Sequence, residues 1–221
     1  MVYFTKDYFK FFKELAANNH KDWFDENRKR YHTVVKEPFE KFIGDLIQSI
    51  QKIDPNVDIA PKDAIFRINR DIRFSADKTP YKLNRSAIIS PGGKKDKAHP
   101  GLYIEVGPEH IRIYGGVYQP DKEQLYTIRE TITKNPDSLK KLMSDPSFVS
   151  TFGSIKGEKN KLIPKEFKEI GKKEDLLYNK QFYWYAEMSP QNALKADFID
   201  QVMKVYTANQ PLMTYFTKAM K

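Results

Sequence analysis

The sequence predicts a single α+β domain over residues 1–221, with a mixed or antiparallel central sheet covered by N-terminal and C-terminal helices. Apolar residues recur at helical spacing up to about residue 50 and again after residue 189, whereas strand-like segments cluster between these regions. No internal repeat and no linker rich in Gly, Ser or Pro divides the 221 residues. Helices on both sides of a block of strands are typical of the α+β class rather than of a doubly wound sheet.

Three helices are predicted in the first part of the chain. The first begins after Thr5, a capping residue, and the second is capped by Asn19 and carries Tyr31 and Val34. Pro38 opens a third helix or kinks the second. The third helix has the most regular apolar pattern of the protein, formed by Phe39, Phe42, Ile43, Leu46, Ile47 and Ile50.

Residues 65–74 are predicted to form a half-buried strand of the central sheet. Alternation places four apolar side chains on one side, Phe66, Ile68, Ile72 and Phe74, and four polar ones on the other, Arg67, Asn69, Asp71 and Arg73. Arg70 falls on the apolar side, so it must find a carboxylate, reach a sheet edge or lie in a bulge. Residues 75–82, SADKTPYK, continue as a loop that Pro80 restricts.

Further strands are predicted at residues 86–90, 101–106, 111–118 and 181–188, the last three within the central sheet. The pair Gly115-Gly116 indicates a bulge or the close approach of another backbone.

The second half also contains helices. Pro120 suits the first turn of a helix whose inward residues are Leu125, Ile128 and Ile132, with Arg129 one step off that stripe. Two short helical pieces follow, and residues 154–180 are predicted to be a Lys-rich loop with at most short elements. A last helix begins at Ser189-Pro190, and Pro211 restarts the chain into a short terminal helix.

The composition excludes several classes of site. The chain has no cysteine, which rules out disulfides, thiolate catalysis and iron–sulfur ligation, and its four histidines are scattered rather than spaced as metal ligands. GxSxG, GxGxxG and HExxH motifs are absent as well. We therefore expect no metal and no cofactor, and assign no catalytic residue. The N-terminus lacks a signal-peptide pattern and no run is apolar enough to span a membrane, which predicts a cytoplasmic protein without membrane contact.

The net charge of +9 has two interpretations. A basic surface attracts phosphate-bearing partners at long range. Lysines also keep proteins soluble without any specific partner. The charge alone does not decide between them, and the sequence says nothing about the oligomeric state.

The strongest chemical signal is a run of cations between residues 67 and 85, namely Arg67, Arg70, Arg73, Lys78, Lys82 and Arg85, interleaved with Asp71, Asp77 and Tyr81. Alternate strand residues are roughly 6.6 Å apart, so Arg67 and Arg73 could flank a phosphate-sized anion while Asp71 orients one guanidinium. The predicted anion-binding residues are Arg67, Arg70, Asp71, Arg73, Lys78, Tyr81, Lys82, Tyr118 and Arg129. The alternative is a surface ladder in which Asp71 and Asp77 only neutralise neighbouring arginines.

Three functions are compatible with this pattern. The first is binding of a phosphorylated or otherwise anionic small molecule at the strand and loop. The second is nucleic-acid binding, which requires aromatic side chains for stacking as well as cations. The third is catalysis with Asp71 as the base, which is the least supported because arginines should lower the pKa of that carboxyl.

Three segments of the chain also resemble one family. FRINRDIRFSADKTPYK resembles the signature of the family of domain of unknown function 2461, NNHKDWFDENRKRY its N-terminal helical motif, and GGVYQPDKEQLYTIRETI its strand-to-helix motif. The three segments are distributed between residues 18 and 132. The resemblance implies a single α+β domain and no established activity.

Overall fold

The computed structural model describes residues 1–221 and has the predicted α+β fold. Four strands form one antiparallel sheet in the order β1-β2-β3-β4. Their bounds are β1 Arg85–Ile89, β2 Leu102–Val106, β3 Ile111–Val117 and β4 Phe182–Met188. The predicted strands at 86–90, 101–106, 111–118 and 181–188 are therefore confirmed to within about a residue.

Helices make up most of the remaining regular structure. The α-helices are α1 Lys6–Ala17, α2 Lys21–Glu26, α3 Arg28–Arg30, α4 Glu37–Gln51, α5 Pro61–Ala64, α6 Lys122–Lys134, α7 Pro136–Met143, α8 Pro146–Phe152, α9 Lys168–Gly171 and α10 Phe198–Ala219. A π-helix covers Tyr31–Lys36, and short 3₁₀ segments cover Gly93–Lys95, Lys165–Phe167, Asp175–Tyr178 and Pro190–Leu194. None of the helices combines the length and the apolar character needed to cross a membrane.

The chain packs as two compact units. Unit 1 comprises residues 1–94, 103–113 and 187–203, and unit 2 comprises residues 95–102, 114–186 and 204–221. That the whole chain is one domain remains a prediction.

The core of unit 1 is built on the apolar stripe of α4, whose six predicted residues are all buried. Aromatic rings from distant parts of the chain meet this stripe. The Phe42 ring stacks on Phe198 at 5.1 Å and meets Phe4 edge-on at 5.4 Å. Because aromatic side chains bury large areas, these contacts make α4 the centre of the unit.

The π-helix corrects one sequence prediction. The sequence pattern places Val34 among the apolar positions of the second helix, whereas in the structure Val35 is fully buried and Val34 only partly. A π-helix bonds residues five apart, so its turn is wider than the 3.6-residue repeat that the prediction assumed. The cap also differs, since the His20 side chain rather than Asn19 accepts from Trp23 N–H.

Residues 65–74 do not form the regular strand that the sequence predicted. They run antiparallel to the residues before and within β1 through only two isolated bridges, Ile65 with Ala87 and Asn69 with Tyr81. Beyond Arg70, whose N–H donates to Pro80 O at 2.8 Å, the pairing stops. Pro80 has no N–H to return, and turns closed by side chains replace the ladder at the tip. We call residues 67–82 the basic hairpin.

The predicted inward face of this segment is also wrong at its end. Ile68 is buried, but Phe74 is 97% exposed. Alternation cannot hold once the strand geometry ends, because side chains in a turn no longer point to two fixed faces.

Unit 2 packs α10 against the inner side of β4. Trp184 is fully buried, and its indole N–H donates to the side-chain oxygen of Asn209, a buried residue within α10. The Phe216 ring lies 5.1 Å from Phe182. α10 begins at Phe198 rather than at Ser189-Pro190 and continues through Pro211, so the predicted restart there is wrong. At Pro211 the helix lacks the backbone hydrogen bond that proline cannot donate, and the neighbouring residues Asn209 and Leu212 are buried.

The close approach predicted at Gly115-Gly116 is confirmed. Gly116 has φ +122°, and a Cβ there would overlap the carbonyl oxygen of Phe182. Only glycine combines this backbone geometry with this contact.

The start and inner face of α6 differ slightly from the prediction. Asp121 is its N-cap, in a reciprocal capping box with Gln124, so Pro120 lies just before the helix rather than in its first turn. Ile128 and Ile132 are buried as predicted, but the third buried residue is Arg129 and not Leu125.

Candidate functional site

Arg70 and Asp77 form an internal network that fixes the shape of the basic hairpin. The Arg70 guanidinium donates to an Asp77 carboxylate oxygen at 2.5 Å and to the Thr79 carbonyl at 3.1 Å. The Thr79 N–H and hydroxyl donate to the other Asp77 oxygen at 2.9 and 2.8 Å. These bonds, led by that of the Thr79 N–H, lower the Asp77 pKa to about 2. Arg70 thus obtains its carboxylate from within the hairpin.

Asp71 and Arg73 form a second pair on the same hairpin. Arg73 Nε and Nη2 donate to the two Asp71 oxygens at 3.0 and 2.7 Å, which fixes the plane of the guanidinium. The side-chain bond from Arg73 is the main cause that lowers the Asp71 pKa to about 2. The Arg73 side chain is still 75% exposed and lies beside the exposed Phe74 ring. Asp71 therefore orients one guanidinium, as the sequence suggested, without burying it.

The other cations of the basic hairpin differ in exposure. Arg67 is exposed, and Lys78 Nζ donates to Ile72 O at 2.9 Å from an exposed position. Lys82 is half-buried and its Nζ lies 5.3 Å from the centre of the Phe66 ring. Arg67, Arg73 and Lys78 are thus the cations that the hairpin presents to solvent.

Tyr81 lies in the core of unit 1. Its ring stacks on Phe24 at 4.1 Å, and its backbone exchanges two hydrogen bonds with the Asn19 side chain. Burial raises the pKa of the Tyr81 phenol. This residue anchors the base of the hairpin.

Tyr118 and Arg129, the other two predicted site residues, belong to unit 2. Tyr118 is 55% exposed and its ring meets Tyr183 edge-on. Arg129 is buried and donates from Nε to Leu177 O at 2.8 Å and from Nη2 to Asn179 O at 3.4 Å. Burial lowers the pKa of its guanidinium.

Arg85 belongs to the cation run of the sequence but was not among the predicted site residues. Only 4% of it is exposed, and its Nε is buried without a hydrogen-bond partner. The guanidinium lies 5.5 Å from the Phe39 ring, and its charge partly offsets the burial that raises the pKa values of Tyr8 and Tyr31. The sequence offered one signal for this burial, the position of Arg85 two residues before the apolar run Ala87-Ile88-Ile89 of β1.

Sequence reasoning also missed a group of tyrosines on the half-exposed side of β3 and β4 in unit 2. We call Tyr114, Tyr118, Tyr183, Tyr185 and Lys156 the tyrosine face. The Tyr114 ring centre lies 5.0 Å from that of Tyr185 and 6.4 Å from that of Tyr183. The available signal was spacing, because Tyr183 and Tyr185 are two residues apart in β4, and Tyr114 in β3 and Tyr118 just after it are four apart.

The structure has no metal site, and the polar cleft of unit 2 includes side chains that already have another role. No group of three or more His, Asp and Glu side chains is arranged to hold a metal ion. An open polar cleft of about 460 Å³ in unit 2 is lined by Lys95, Asp96, Lys97, Ala98, Gln119, Asp121 and Gln124. Asp121 and Gln124 are already engaged in capping α6.

The chain matches a model of a protein family. A family model described as "Conserved hypothetical protein (DUF2461)" matches residues 7–215. No curated protein and no solved structure matches the chain.

Proposed function

Since the chain belongs to the DUF2461 family, whose description names no activity, we propose a function from the site: the basic hairpin binds the phosphate group of a small anionic ligand. The observation that supports this proposal is the orientation of Arg73 by Asp71 on a loop that Arg70, Asp77 and Thr79 hold in shape. A fixed loop loses little conformational freedom when an anion binds.

The charges of the basic hairpin favour an anion. Residues 67–82 contain five Lys and Arg residues and two Asp residues, which leaves an excess of three positive charges. Arg67 and Arg73 offer planar donors, which suit the oxygens of a phosphate group, and Lys78 adds a point charge.

The low pKa of Asp71 argues against catalysis by this carboxylate. A group with a pKa of about 2 is ionised at neutral pH but has little tendency to accept a proton. Binding is therefore a better-supported role for the hairpin than general-base chemistry.

The proposal is tested by a thermal-shift screen with inorganic phosphate, AMP and sugar phosphates, followed by calorimetry on any compound that raises the unfolding midpoint. Arg73→Ala should weaken the binding of that compound by about tenfold or more, because a charge-assisted hydrogen bond contributes about 1.5–3 kcal/mol. Its denaturation midpoint should change little, since the side chain is largely exposed.

Arg28→Ala is the matched control. It removes another exposed Arg–Asp pair of unit 1, between Arg28 and Asp25, outside the basic hairpin. This variant should bind the phosphate compound with the same affinity as the unchanged protein. If Arg73→Ala and Asp71→Asn mainly reduce folding stability and leave binding intact, the hairpin is a structural ion-pair network and the proposal fails. The proposal also fails if no phosphate compound in the screen raises the unfolding midpoint.

A further inference from the structure

The tyrosine face has the geometry of an aromatic platform. Three of its four rings, those of Tyr114, Tyr183 and Tyr185, are half-exposed, whereas the alternate residues Phe182 and Trp184 are buried on the other side of β4. Tyr118 continues the platform past the end of β3, since its ring meets Tyr183 at 6.4 Å. Four rings thus line one side of a strand pair.

A cation lies on this platform. Lys156 pairs with Tyr183 through two backbone hydrogen bonds, of 2.6 and 3.0 Å, on the edge of β4. This pairing places its side chain on the same side of the strand, where Nζ lies 4.1 Å from the centre of the Tyr185 ring. The face therefore combines stacking surfaces with a positive charge.

The net charge of the protein is concentrated in unit 2. Unit 2 contains 18 Lys and Arg residues against 11 Asp and Glu, whereas unit 1 contains 20 against 18. Seven of the nine excess positive charges therefore belong to the unit that carries the tyrosine face. Because a charge excess attracts polyanions over a Debye length of about 8–10 Å, this is the unit that a polyanion should prefer.

We propose that the tyrosine face binds single-stranded nucleic acid, with bases stacked on its tyrosine rings and backbone phosphates near Lys156. The chemistry requires a ligand with both negative charge and flat, unpaired rings. A single strand has both, since its bases can turn outward onto aromatic side chains. A duplex keeps its bases stacked inside, and a sulfated polysaccharide has no aromatic ring. This proposal does not depend on phosphate binding by the basic hairpin.

The proposal is tested by fluorescence anisotropy with a labelled oligo(dT), at about 50 mM salt, where phosphate contacts are strong. We expect the protein to bind this strand more tightly than a duplex of the same length or heparin. Tyr183→Ala and Tyr185→Ala should each weaken binding by roughly 5-fold to 150-fold, the range for loss of one stacked base. Lys156→Ala should reduce the slope of log affinity against log salt by about 0.7.

Conservative and remote variants separate stacking from a general loss of structure. Tyr185→Phe keeps the ring and should retain most of the affinity. Tyr126→Ala removes a partly exposed tyrosine of α6 whose ring contacts Phe167, and it should bind like the unchanged protein. Circular dichroism establishes that each variant folds.

Two results would overturn the proposal. One is the absence of oligo(dT) binding at low salt. The other is binding that heparin matches and that neither tyrosine variant weakens, which would indicate attraction by charge alone. Arg73→Ala, which tests the basic hairpin, should leave oligo(dT) affinity unchanged, so failure of one proposal does not decide the other.

Discussion

The basic hairpin and the tyrosine face differ in how their positive charge is distributed. The hairpin contains five Lys and Arg residues within 16, but Arg70 and Arg73 are held by carboxylates a few residues away. The tyrosine face has a single cation, Lys156, within a unit that carries most of the excess charge.

This difference shows that the local density of cations does not measure the attraction that a surface exerts. Cations that alternate with carboxylates make short ion pairs, whose field falls off quickly in water. Such pairs fix the shape of a loop. Unpaired charge spread over a larger unit acts at longer range and suits a polyanion, whereas an oriented guanidinium suits a single phosphate group.

The largest effect should come from changing the backbone that supports the tyrosine face. Gly116→Ala forces a side chain into a backbone geometry that favours glycine and against Phe182 O, so it should reduce the unfolding free energy by at least about 3 kcal/mol. Urea denaturation measures this loss. Gly153→Ala is the control, because Gly153 also has positive φ but has no atom within 4 Å of the added Cβ. It should cost less than Gly116→Ala, because it adds backbone strain without an overlap, and equal losses would mean that the close contact with Phe182 O does not contribute to the loss.

Two buried arginines provide the next prediction. Arg129→Met leaves Leu177 O and Asn179 O, just before β4, without their donor, so it should cost about 2–3 kcal/mol. Arg85→Met in unit 1 removes a buried cation that the structure pairs with no carboxylate, so it should change stability by less than about 1 kcal/mol. Denaturant melts compare the two variants. A loss at Arg85 as large as that at Arg129 would show that Arg85 has an equally important structural role.

Smaller effects are expected at the hairpin, where both carboxylates are exposed. Their folded-state pKa values of about 2 lie below the ordinary value of about 3.9. They therefore favour the folded hairpin above about pH 4, and this contribution is lost as the pH falls toward 2. NMR titration of the Asp carboxyl carbons measures these values directly. Arg73→Ala should raise the Asp71 pKa toward 3.9 and leave that of Asp77 unchanged, because Asp77 is held by Thr79 and Arg70. An unchanged Asp71 pKa would disprove the Arg73 pairing in solution.

The last prediction is that the two units have the same unfolding midpoint. If the chain is one domain, the two units should unfold together. Trp23 reports on unit 1 and Trp184 on unit 2, so Trp184→Phe and Trp23→Phe variants isolate each signal. Within either single-tryptophan variant, the fluorescence midpoint should coincide with that from circular dichroism. Separate transitions would divide the chain into two domains and would require the stability losses above to be assigned to one unit each.

Much of the fold was predictable because it depends on local periodicity. The apolar stripe of α4 and the alternation of β2, β3 and β4 each repeat over a few residues, and burial of one face fixes such patterns. The pair Gly115-Gly116 also predicted a close contact, because the backbone geometry and the contact at Gly116 require glycine at that position. Prediction failed where the structure departs from the local pattern. A π-helix replaces the α-helical repeat after Arg30, turns replace the strand at the tip of the basic hairpin, and α10 continues through Pro211.

The sequence by itself determined the α+β class, most strand positions and the list of cations. Tertiary structure alone decided which of these cations are exposed, paired or buried, as the contrast between Arg73 and Arg85 shows. It also decided that Tyr114 lies beside Tyr183 and Tyr185, about 70 residues later in the chain. The physical reason is that a side chain's direction follows from its own element, whereas its neighbours depend on strand register and on packing between distant segments.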